Sequence, residues 1–131
     1  MSDASAKGKS SRNKGCGGER EVCRFLTEET GQKASRNLKQ YQEAQHGDII
    51  FGPFCIEVKN HKRRSVKAWW KQAVEAAKKV GLIPVLAYKV HGVGFRYLIP
   101  HTSAGGEWRY DYEYTMDVGP ACFALIVRES L

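Results

Sequence analysis

The stretch from Asp48 to Asn60 constrains this chain more than any other. Two apolar runs, Ile49-Ile50-Phe51 and Phe54-Cys55-Ile56, flank Gly52-Pro53, a pair that marks a tight turn between antiparallel strands. A turn centred there sets Phe51 opposite Phe54, Ile49 opposite Ile56 and Asp48 opposite Glu57. Side chains alternate between faces along a strand. One face of the hairpin therefore carries Ile49, Phe51, Phe54, Ile56 and Val58, all apolar, and the other carries Asp48, Ile50, Cys55, Glu57 and Lys59.

This register creates an electrostatic problem. Directly opposed residues of a hairpin have Cβ atoms about 4.5–5.5 Å apart, and like charges there are destabilising. A positive group should sit between Asp48 and Glu57. A divalent ion such as Mg²⁺, which binds oxygens at about 2.0–2.1 Å, fits the gap. An ion held there polarises a phosphoryl oxygen and lowers the pKa of bound water, as phosphodiester hydrolysis requires. Lys59, next on the same face, is placed to hold the attacking water or to neutralise charge developing on a phosphate. Taken alone, the three residues read equally well as a solvated face with a weak Glu–Lys contact. Their neighbours decide the matter.

Upstream, a helix is expected from about Gly18 to Thr30, stopped by Gly31, with Val22, Phe25 and Leu26 as its apolar stripe. Glu19 falls on or near that inward stripe, where an acid needs a partner; Glu21 is the rival, four residues before Phe25. Downstream, Val66 to Val80 reads as a helix between Ser65 as N-cap and Gly81. Val66, Trp70, Ala73, Val74 and Ala77 line its inner face, and Lys67, Lys71, Glu75 and Lys78 its outer face. Trp69 is expected nearer the Gln72 side, packed on the sheet or stacked on a base.

Pro84–Val90 and Gly94–Ile99 read as strands, and Lys33–Asn37 as a short one, followed by a polar loop over 38–47. Trp108, Tyr110, Tyr112 and Tyr114 alternate with polar residues, a two-residue period that predicts a strand whose aromatic side is core or a dimer interface. Ala121–Val127 is expected as a further strand. The pattern is α/β, a central mixed sheet flanked by helices.

At 131 residues the chain suits one domain, over residues 15–131, preceded by a basic arm over 1–14. The formal net charge is +7, which suggests a polyanionic partner. Its distribution is informative: Lys7, Lys9, Arg12 and Lys14 lie in the arm, and Lys62, Arg63, Arg64, Lys67 and Lys71 beside the acidic pair. Cys16, Cys23, Cys55 and Cys122 are scattered without zinc-ligand spacing, and Cys55 is expected as a buried thiol. No apolar run reaches the roughly 20 residues of a membrane span, and the first residues lack a secretory h-region. A cytoplasmic setting is expected.

Gly47-Asp48-Ile49-Ile50 followed by Ile56-Glu57-Val58-Lys59 resembles the PD-(D/E)XK nuclease signature, with Gly47 where that family often has Pro. Lys14-Gly15 with Glu19-Arg20-Glu21 is similar to the first helix of archaeal-type Holliday junction resolvases and their phage relatives. The resemblance covers about residues 14–90 and implies a restriction-endonuclease-like core. It also implies that Glu19 joins Asp48, Glu57 and the Val58 carbonyl around Mg²⁺, with Mn²⁺ able to substitute. Gln72 would support the site from the following helix. Archaeal resolvases carry a serine shortly before the motif Asp, and residues 37–47 contain none. This difference bears on junction specificity. The expectation is a metal-dependent DNA endonuclease, nucleoid-associated or phage-encoded, acting on branched DNA as a homodimer. Lys14, Arg20, Arg36, Lys62, Arg63, Arg64, Lys67 and Lys71 would bind DNA, and His46 is a weaker candidate. The alternatives are a nuclease without junction preference and a non-catalytic DNA-binding module.

Overall fold

The computed structural model describes residues 17–37, 47–63 and 65–131. The arm with Lys14, the loop with His46, and Arg64 lie outside the described residues.

Helix α1 spans residues 17–30. Gly31, at φ 76°, ends it and donates its N–H to the Thr27 carbonyl at 2.9 Å, the left-handed stop expected of glycine. Val22 and Leu26 are fully buried. The hairpin follows as β1 (Ile49–Phe51) and β2 (Phe54–Lys59), paired Ile49 with Ile56 and Phe51 with Phe54, the register predicted above. Gly52 adopts φ 55°, the left-handed conformation that the first turn position requires. Of the Lys33–Asn37 strand, one bridge between Arg36 and Ile49 forms.

Helix α2 (Val66–Val80) has the predicted bounds, and Gly81 at φ 68° closes it by donating to the Ala77 carbonyl. It crosses from β2 to β3 (Ile83–Val90), and these two strands are parallel. Antiparallel β4 (Gly94–Pro100) and β5 (Thr115–Val118) complete a five-stranded mixed sheet in the order β1-β2-β3-β4-β5. The Arg96 guanidinium Nε donates to Asp117 Oδ1 at 2.8 Å and the Tyr88 hydroxyl donates to the same carboxylate, fastening β5 to its neighbours.

Alternation along the strands splits the core into two layers. Ile49, Phe51, Ile56, Val85, Ala87, Tyr97 and Ile99 pack with Val22 and Leu26 of α1 and with Phe123 and Val127. On the other face Leu86, Tyr88 and Leu98 pack beneath Trp69, Trp70 and Ala73 of α2, and Cys55 is buried in contact with neither solvent nor a disulfide partner. Trp69 and Trp70 are both buried, and Trp69 packs on the sheet against Leu86 and Tyr88, the first of its two expected placings. A pair of broad indoles spans enough of the helix surface for both to reach the sheet. Among the described residues, no helix is long and apolar enough to cross a membrane.

Two strand predictions fail. Ala121–Val127 belongs to helix α3 (Pro120–Ser130), with Pro at its first turn after Gly119. A short apolar run has no readable period, and here the proline was the usable signal. Trp108–Tyr114 forms two 3₁₀ turns, Gly106–Tyr110 and Tyr112–Tyr114. Gly106 turns the chain at φ 58°, and Asp111 Oδ1 accepts from the Glu113 N–H at 2.9 Å. Such a local side-chain bond competes with strand pairing, and the edge of β4 is already taken by β5. The rings are consequently not core.

Candidate active site

Asp48 sits one residue before β1, so continuing the hairpin register puts it opposite Glu57. Its carboxylate takes over the edge pairing that β1 no longer supplies, with Oδ2 accepting the Val58 N–H at 2.7 Å. Asn37 holds the approach to this position: its N–H donates to the Asp48 carbonyl at 2.7 Å and its Nδ2 to the Gly47 carbonyl at 3.1 Å. Sequence reasoning missed Asn37, since nothing local marks a residue that clamps a chain ten positions later.

Asp48 is 9% exposed and Glu57 is largely buried. Burial, then the neighbouring Glu57 carboxylate, raises the Asp48 pKa to about 8, against the opposing Val58 hydrogen bond and the Lys59 charge. Glu57 is also raised, by burial, against Lys59 and a side-chain hydrogen bond with Asp48. The two carboxyl groups thus face each other closely enough for the Glu57 charge to disfavour that of Asp48. Lys59 Nζ stands 3.9 Å from Glu57 Oε1, on the same face.

Glu19 comes from the opposite layer. The start of α1 rests against the end of β2, with Gly18 beside Val58 and Asn60, and the buried Glu19 carboxylate adds its charge to both acids. Its direct partner is Arg36, whose Nε donates to Oε2 at 2.7 Å. The inward acid therefore has the partner it needs. Glu21 faces out and pairs with Lys89 at 2.9 Å. Gln72 is exposed on α2. Arg20, Lys62, Arg63, Lys67 and Lys71 are all exposed.

The donor set suits a hard cation, since every candidate ligand is oxygen and the two acids are buried opposite one another. Among the described residues, no three His, Cys, Asp or Glu side chains form a ready-made metal cluster. Asp48 and Glu57 with a backbone carbonyl are the available core of a site, and Glu19 is engaged by Arg36.

Gly47 shows how tightly this corner is packed. A Cβ there would run into the Cys55 sulfur, to which the Gly47 N–H donates. We expect Gly47→Ala to cost about 1–3 kcal/mol in urea unfolding. Combined with Cys55→Ala, the two costs should not add, because the collision disappears. Full additivity would show that the close approach is not the cause.

A protein-family model described as "phage putative PDDEXK endonuclease" matches residues 10–117. No curated protein matches the chain.

Proposed function

Because this chain belongs to the phage PDDEXK endonuclease family, we propose that it cleaves branched DNA in a Mg²⁺-dependent reaction centred on Asp48, Glu57 and Lys59. The observation that carries this reading is the buried pair of opposed carboxyl groups, Asp48 and Glu57, with the Lys59 ammonium beside it. Two buried, opposed acids are costly unless a cation offsets their charge. Nothing in DNA binding alone requires acids beside phosphate.

Asp48 and Glu57 would hold the ion, with the Val58 carbonyl as a further ligand and Mn²⁺ as a substitute. Glu19 would join once Arg36 releases it. When bound, the metal activates water and polarises the scissile phosphate. Lys59 orients the attacking water or offsets charge on the phosphate. Arg36 is then available to a phosphate, together with Arg20, Lys62, Arg63, Lys67 and Lys71. Gln72, exposed on α2, would act only on bound substrate. A four-way junction has two-fold symmetry and needs two coordinated cuts, which implies a homodimer.

The test is cleavage of four-way junction, flap, single-stranded and linear duplex DNA with Mg²⁺ and with Mn²⁺. Preferred cutting of the junction at paired positions is expected. Equal cutting of linear duplex would remove the branched-substrate part of the reading. No cutting of any form with either metal would leave a DNA-binding module.

A further inference from the structure

The aromatic stripe from Trp108 to Tyr114 lies outside the core, and the site above makes no use of it. Among the described residues there are seven exposed large hydrophobics, and Trp108, Tyr112 and Tyr114 are three of them, all within one short segment. Such a cluster is unusual on a surface without a function.

The segment is held in place. Trp70 Nε1, from inside the α2 layer, donates to the Tyr110 carbonyl at 3.3 Å. Trp108 and Tyr114 stack with centroids 5.5 Å apart and planes 11° from parallel, yet Trp108 remains 59% exposed. One face of the indole is covered and the other is open. Along the border, Lys78 and Lys67 of α2 reach over Tyr110 and Tyr112, at 4.8 and 5.8 Å from the ring centroids. The aromatic surface thus flanks a basic helix whose first turn follows closely on the strand that carries Glu57 and Lys59.

We propose that this surface is a stacking platform for the unpaired bases of a single DNA strand. Bases lie on Trp108 and Tyr114, and phosphates lie on the α2 lysines. Aromatic stacking beside a cationic track is how sequence-tolerant single-strand binding is built. The exposed Glu107, Arg109, Asp111 and Glu113 alternate with the rings along the segment, so phosphates are expected on the side of Lys67 and Lys78. The inference rests on DNA being the substrate, and it assigns strand opening near the cut as the feature recognised.

The test uses the full chain in EDTA and the fluorescence anisotropy of a labelled oligothymidylate. Trp108→Ala should weaken binding about tenfold or more, with unchanged thermal unfolding, and Trp108→Phe should restore most of it. Cleavage of linear duplex with Mg²⁺ should persist in Trp108→Ala. Unchanged oligothymidylate affinity in Trp108→Ala, or no binding by the wild type, overturns the proposal. So does sedimentation showing a wild-type dimer that Trp108→Ala splits, which makes the patch a self-interface. If oligothymidylate binds through Trp108 while no DNA is cut, the platform stands and the nuclease reading falls.

Discussion

Asp48→Asn should abolish metal-dependent cleavage and, at pH 8 without metal, melt at a higher temperature than the wild type. The two effects share one cause. The amide keeps an oxygen to accept the Val58 N–H, which Asp48 now accepts at 2.7 Å, but it removes the negative charge that a cation needs. Loss of cleavage by about 10²–10³-fold is the scale for deleting one preorganised electrostatic contact at a reacting centre. The stability gain follows from linkage. The Asp48 pKa rises from 3.8 to about 8, mainly through burial and then through Glu57. An acid whose folded pKa is raised contributes stability that is complete below its unfolded value and is lost as pH climbs through the folded value. The wild type should therefore lose stability between about pH 4 and pH 8, and the Asn variant should lose less. Their melting temperatures should coincide near pH 4 and separate by roughly 5–10 °C at pH 8. A variant that melts below the wild type at pH 8 would show that the carboxylate is a structural asset rather than a stored strain.

The second large effect is stabilisation by the metal itself. Mg²⁺ or Mn²⁺ at about a hundredfold excess over its dissociation constant stabilises the folded state by about 2.7 kcal/mol, roughly a 10 °C rise in melting temperature for a chain of this size. The rise should appear at pH 8 and shrink toward pH 5, because the ion must compete with protons for Asp48 and Glu57, whose pKa values are raised. It should vanish in Asp48→Asn and Glu57→Ala. A shift of equal size at pH 5, or one that survives both substitutions, would place metal binding elsewhere.

The hairpin was fully legible because its information is local. A turn at Gly52-Pro53 and a two-residue period determine the register, and the register alone brings Asp48 to Glu57. Helix α2 was legible for the same reason, through its spacing and Gly81. Legibility failed where one pattern allowed two structures. The run around Phe123 is short and apolar enough for strand or helix, and it becomes α3 because its apolar side covers the sheet face that carries Tyr97, whose ring stacks on Phe123 at 4.2 Å. The alternation from Trp108 to Tyr114 suited a strand, yet the edge of β4 is taken by β5, and the segment packs beside α2 as a flanking turn instead.

Side-chain alternation and turn chemistry, both set by neighbours along the chain, sufficed for the acidic pair, its lysine and the α/β layering. Packing between distant segments decided the rest: that Glu19 meets Arg36, that Asn37 clamps the Gly47–Asp48 corner, and that Tyr112 and Tyr114 face water. Those outcomes depend on which surfaces are already occupied when the layers close. No stretch of sequence carries that information by itself.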